Sequence, residues 1–235
     1  MPSAEPYSWI HFAWVAVGVV GGVLFFGRFY VQWIASELQK QSIVPIAFWY
    51  MSSVGSLFLL AYAVWSQSPL GTLSYSLNIV IYVRNLVHIW RERGALSDRL
   101  NIAVHLGAGV VATVAIGFVV RTWLLEYEAS QAAHPREAMV SWVWLGVGVV
   151  GQALFASRFV VQWIATERLK KSVIPASFWY ISLVASLLQA ASYTQRGGRE
   201  MLLAVGVMST VFIHARNIWF ITRHPGEPAP IAIKG

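Results

Sequence analysis

Seven stretches of apolar residues divide the chain, each allowing about 18 to 25 residues of helix. They begin near Trp9, Val44, Gly71, Leu100, Val140, Ile174 and Met201, with short segments rich in Lys, Arg, Gly and Pro between them. A helix of about 20 apolar residues crosses a hydrocarbon layer roughly 30 Å thick, so the pattern predicts an all-α integral membrane protein with seven transmembrane helices. No Lys or Arg precedes Arg28. The opening stretch therefore lacks the basic start of a cleaved export signal and is expected to remain as the first span.

The pattern repeats. Sliding the chain on itself by about 130 positions, Trp14–Ala61 onto Trp144–Ala191, gives about 27 identities in 48 pairs. Gly18 meets Gly148, Gln32 meets Gln162, Pro45 meets Pro175, and Phe48, Trp49 and Tyr50 meet Phe178, Trp179 and Tyr180. After a two-residue insertion, Arg84 and Asn85 meet Arg216 and Asn217 in the third helix, where only about five of 21 pairs still agree. The prediction is a three-helix repeat over residues 9–95, a linker helix over 96–125 and a second repeat over 139–223. Three spans are an odd number, so the extra helix from about Leu100 to Trp123 lets both bundles run parallel, a 3+1+3 arrangement.

Composition sharpens this. Hydrophobic residues make up 57% and charged residues 11%, and there is no cysteine, which removes thiolate chemistry and disulfides. The net charge of +7 is spread over loops and spans, so nucleic acid is not expected as a partner. Lys40, Arg91, Arg93, Arg99, Arg168, Lys170, Lys171, Arg223 and Lys234 fall on one side of the seven-span scheme. Arg121, Arg136, Arg196 and Arg199 fall on the other, beside Glu126, Glu128, Glu137 and Glu200. That asymmetry predicts an external N-terminus and a cytoplasmic C-terminus.

Candidate chemistry centres on four arginines inside apolar helices: Arg28, Arg84, Arg158 and Arg216. A charged side chain at bilayer depth costs roughly 2.5 to 3.5 kcal/mol on insertion scales, so a duplicated one points to use. Arg28, Gln32 and Ala35 share a helix face, as do Arg158, Gln162 and Ala165. Asn78 and Asn85 share another, with Arg84 about a quarter turn away. The nearby repeat carboxylates are Glu37 and Glu167, which leaves a positive excess suited to an anion such as phosphate. The expected substrate-binding set is Arg28, Gln32, Trp49, Asn78, Arg84, Asn85, Arg158, Gln162, Trp179, Arg216 and Asn217. Trp33, Trp49, Trp163 and Trp179 suit either a pocket or an interfacial belt. Ser52, Ser56, Ser182 and Ser186 read as packing positions, Pro45 and Pro175 as first-turn prolines, and His214, which replaces Tyr82, as a packing residue. His11, His88 and His105 lack metal-ligand spacing. No catalytic residue, metal or cofactor is expected, because no carboxylate pair, activated nucleophile or phosphate loop appears.

The phrases RFYVQWIASE, SIVPIAFWYMS and IYVRN, repeated as RFVVQWIATE, SVIPASFWYIS and IHARN, resemble the lipid A biosynthesis N-terminal domain family. That family is similar to the PQ-loop superfamily, whose SWEET sugar carriers have three spans, a linker and three spans. The resemblance implies that Lys40 with Ser42, and Lys171 with Ser172, lie in the cytoplasmic loop after each first helix, and that Asn85 and Asn217 contact substrate. The chain departs in carrying Val31 and Val161 where those carriers have a first-helix proline. The resemblance further implies envelope glycolipid metabolism, a bacterial inner membrane and naming as a lipid-A-disaccharide synthase. Synthase activity is not expected, since spans and short loops use nearly all 235 residues.

The expected function is a transporter or flippase for a phosphate-bearing glycolipid, such as an undecaprenyl-phosphate-linked sugar or a lipid A precursor. A SWEET-like facilitator of free sugar, and a non-catalytic membrane partner of an envelope glycosyltransferase, are the alternatives. Membrane lipids are further expected partners.

Overall fold

The computed structural model describes residues 9–39, 45–92, 94, 97–169, 173–223 and 229–230. Lys40, Ser42, Arg93, Lys170, Lys171, Ser172 and Lys234 lie outside them, as do the side chains of Arg84, His88, His105, Trp163 and Glu167. The described chain is nearly all helical: α1 Trp9–Gln39, α2 Ile46–Trp65, α3 Pro69–Glu92, α4 Asp98–Ala132, α5 Pro135–Leu169, α6 Ala176–Arg196 and α7 Met201–Arg223. A 3-10 turn, Gly198–Glu200, leads into α7, and two-residue strands β1 (Val173–Ile174) and β2 (Ala229–Pro230) pair antiparallel.

Five of these helices, α1, α2, α4, α5 and α7, are long and apolar enough to cross a membrane. Large apolar side chains such as Leu106, Val110, Ile116 and Phe212 stand exposed on their outer faces, the reverse of a water-soluble surface. The chain is a membrane protein. Helices α3 and α6 have the length, 24 and 21 residues, but Ser74, Ser76, Asn78 and Asn85 dilute one, and Ser182, Ser186, Gln189 and Ser192 the other.

Two local features differ from expectation. Helix α4 runs about two turns past Trp123, because Leu124–Ala132 contains strong helix formers and no Gly or Pro, and Pro135 then opens α5. Pro175 sits at the N-cap of α6 in extended conformation, φ −70° and ψ 155°, rather than in the first turn. Its carbonyl accepts the Phe178 N–H at 3.0 Å, as the Pro45 carbonyl accepts that of Phe48 at 2.9 Å.

The chain divides into two compact units, Met1–Phe25 with Ser52–Glu126, and Phe26–Met51 with Tyr127–Gly235. In the first, glycines bring α1 and α2 together: a Cβ at Gly18 would stand 2.6 Å from Tyr62, and one at Gly55 2.7 Å from the Phe25 nitrogen. Phe25 meets Tyr75 edge-on at 5.4 Å, and Thr72 bonds Thr122 at 2.8 Å between α3 and α4. In the second unit α6 packs on α5 and α7. Gln189 Nε2 donates to Gln152 Oε1 at 3.0 Å, and the Ser192 hydroxyl donates to the Trp144 carbonyl at 2.7 Å. The Tyr30 hydroxyl reaches the Ser209 carbonyl at 3.4 Å, tying the end of α1 to α7. Ser52, Ser56, Ser182 and Ser186 are all buried.

Gly55 faces backbone that has nowhere to go, whereas a Cβ at Gly146 meets nothing within 4 Å. Gly55→Val should therefore lower stability in detergent by about 1–3 kcal/mol through overpacking. Gly146→Ala should leave it unchanged or raise it by up to about 1 kcal/mol through helix propensity. Thermal unfolding of the two variants checks both.

Candidate functional site

Helices α1 and α5 carry the two copies of the arginine phrase, and both of these guanidinium groups are buried in the second unit. Arg28 has no exposed surface. Its guanidinium carbon lies 4.7 Å from the ring centre of Phe29 and 5.3 Å from that of Phe48. Arg158, 3% exposed, donates from Nη1 to the Ser182 hydroxyl at 3.3 Å. Its carbon lies 3.5 Å from the ring centre of Phe155 and 5.1 Å from that of Phe178. Phe48 and Phe178 are repeat counterparts, so each arginine lies against the same aromatic of its own copy. An arginine keeps its charge at any accessible pH. Aromatic faces offset part of its desolvation, about 2 kcal/mol or more each when water is excluded.

His214 is fully buried between one ring partner of Arg28 and Trp179. Its ring centre is 6.2 Å from that of Phe29 and 6.1 Å from that of Trp179, and Arg158 is its charged neighbour. Neither ring nitrogen has a hydrogen-bond partner among the described residues. A buried polar group of this kind costs about 1–3 kcal/mol unless a partner arrives. Two buried cations and a buried imidazole thus stand among aromatic rings in the second unit.

Arg216 serves a different place. It pairs with Glu37 and lies over the Trp33 ring, 4.8 Å from its centre. The Trp33 indole N–H also donates to Glu37, at 3.0 Å. This cluster is at the exposed end of α1, and the Trp33 hydrogen bond, with Arg216 second, holds the Glu37 carboxyl below its ordinary range. Asn217 donates from Nδ2 to its own helix's Ile213 carbonyl at 2.7 Å, and Asn85 donates likewise to Ile81 at 2.8 Å.

Of the residues singled out in the sequence, Arg28, Gln32, Trp49, Arg158, Gln162, Trp179, Arg216 and Asn217 lie in the second unit. Asn78, buried, and Asn85, half-buried, lie on α3 in the first with Arg84. Sequence reasoning passed over the rings of Phe29, Phe48, Phe155 and Phe178 and the central position of His214. The duplicated Phe48 and Phe178, one facing each arginine, were the available signal. For His214 there was none, because its counterpart is Tyr82.

The model of the Lipid A Biosynthesis N-terminal domain matches residues 17–87 and again 147–219. The chain belongs to this family. It is similar to proteins named lipid-A-disaccharide synthase: 31% identical over 188 residues in Chlamydia trachomatis serovar D and 29% over 195 in Chlamydia caviae. These alignments cover 78% and 81% of this chain and 30% of each relative. The chain thus spans about a third of the length of the curated relatives it matches. No solved structure matches it.

These relatives correct one expectation. The chain was expected to be no enzyme, for want of a catalytic constellation and of room for a soluble domain, yet the proteins it matches bear an enzyme's name. Motif spacing detects a centre built from a nucleophile, a base or a metal. Lipid A biosynthesis is therefore the context of the family to which the chain belongs.

The rim cluster gives a direct test. The lowered Glu37 pKa means its ion pair with Arg216 is complete above the ordinary carboxylate value of about 4.3 and is lost as pH falls through the lower folded value. Carboxyl-carbon NMR of labelled glutamate should show Glu37 titrating below that value, and moving back toward it in Trp33→Phe and in Arg216→Gln.

Proposed function

We propose that the chain binds the phosphate-bearing headgroup of a glycolipid within the bacterial inner membrane and carries it across. The lipid would be a polyprenyl-phosphate-linked sugar or a lipid A precursor. All seven helices cross in this reading, as two parallel three-helix bundles and a linker, with the N-terminus outside and the C-terminus in the cytoplasm. Arg28 and Arg158 take the phosphate through charge-assisted hydrogen bonds, which suit the planar fork of arginine. Gln32, Gln162, Trp49 and Trp179 face the sugar or the first isoprenoid units. Asn78, Arg84 and Asn85, on α3 in the first unit, form a separate polar set for substrate. Arg216 with Glu37 forms a rim that the headgroup passes on entry.

The observation that carries this reading is the burial of two cations, one of them beside a buried imidazole, in a chain of the lipid A biosynthesis family. A free-sugar carrier has no use for them, since a neutral polyol gains little from a guanidinium it must desolvate.

A second reading has its own support. The relatives that share this segment are named as a synthase, and the segment covers 30% of their length, which favours presentation of the bound glycolipid to a glycosyltransferase. Both readings use the same binding step and diverge only once the lipid is held.

Capture of a fluorescent polyprenyl-phosphate-linked sugar by the purified chain tests the shared step. Arg28→Gln and Arg158→Gln should each weaken capture by about tenfold or more, the worth of one charge-assisted hydrogen bond. Unchanged affinity in both variants would sink the site. Reconstituted vesicles then separate the readings: transfer of the label to the opposite leaflet supports carriage, and its absence with binding intact supports presentation.

A further inference from the structure

A cleft opens in the second repeat. Beside the start of α5 and the end of α6 lies a cleft of about 430 Å³, lined by Arg136, Glu137, Ser141, Trp144, Gln195 and Arg196. It belongs wholly to the second unit. Along α5 it stands roughly 20–25 Å from Arg158, at about 1.5 Å of rise per residue. In the first repeat the counterparts of Ser141, Trp144, Gln195 and Arg196 are His11, Trp14, Trp65 and Ser66. There Trp65 stacks on Trp14 at 6.1 Å and meets His11 edge-on at 5.4 Å. One indole plugs the first copy, and an amide replaces it in the second.

The cleft has a mostly apolar wall, with Val140 and the Trp144 ring, edged by the polar groups of Ser141, Gln195 and Arg196. Arg196 donates to Glu200 at 3.0 Å and to the Ser141 hydroxyl at 3.0 Å, and Arg136 and Glu137 bring one charge of each sign to its rim. Donors, acceptors and an indole in a pocket of this size suit a polyhydroxyl ring better than an anion.

A buried polar stripe joins this cleft to Arg158. On α6, Ser182, Ser186, Gln189 and Ser192 are all buried and lie on the face that ends at Arg196. Their counterparts in α2 are Ser52, Ser56, Leu59 and Tyr62, so apolar Leu59 and bulky Tyr62 interrupt the stripe in the first copy.

We infer that this cleft is a second carbohydrate site, which binds a sugar ring at the end of α5 and α6 remote from Arg158 and separate from the contacts proposed around the phosphate. The assignment rests on the glycolipid reading only for the identity of the group attached to the sugar. Saturation-transfer NMR on the purified chain in detergent, with chitobiose as a phosphate-free disaccharide probe, tests it. The natural chain should transfer to the sugar ring protons, and Gln195→Trp, which restores the plug of the first copy, should reduce binding by about tenfold or more. Trp144→Ala, which removes the aromatic face, should do the same. Helical circular dichroism and thermal unfolding of the same samples show that the variants fold. No transfer in the natural chain, or equal transfer in Gln195→Trp with its cleft filled, overturns the assignment. Sugar transfer that persists while Arg28→Gln and Arg158→Gln leave lipid capture unchanged would sink the phosphate site and leave the cleft standing.

Discussion

A guanidinium cannot discard its proton to escape a low-dielectric interior. Burying one therefore dictates its surroundings. Arg28 and Arg158 meet this demand with aromatic faces from their own helices and from α2 and α6, and Arg158 adds a hydroxyl from Ser182. The tolerances are small, which explains why the phrase after each arginine survives in both copies while the third helices have drifted. The packing serines answer the same constraint, since only small side chains let α6 bring Phe178 and Ser182 up to the charge.

Arg216 shows how position along a helix changes the role of one residue type. Its pairing with Glu37 is exposed, and such pairs contribute little to stability in water. The buried cations and the paired one thus differ in surroundings: Arg28 and Arg158 are enclosed among rings, whereas Arg216 pairs with a carboxylate at an exposed helix end.

Much of this was legible in the residues alone. Apolar spacing gave the helical class, and the offset of 130 gave the duplication and the two buried arginines. The distinction between Arg216 and the others was not legible, because its partner Glu37 is 179 positions away and no local pattern links them. His214 was invisible as a site residue for the opposite reason: a single histidine in an apolar helix carries no spacing at all. The extent of α4 depended on residues after Trp123 whose propensity outlasts the apolar stretch. The family's enzymatic name was beyond any motif search, since it attaches to proteins of which this segment covers about a third.

The paired asparagines carry a mechanical consequence. Asn85 and Asn217 each donate to the carbonyl four residues back, where the helix's own N–H already competes. A carbonyl with two donors can release one and keep the other, and side chains that bond backward in this way often bend the helix around them. Helices α3 and α7 thus carry the same doubly accepted carbonyl at the same register, kept through a duplication that erased most of the sequence around it.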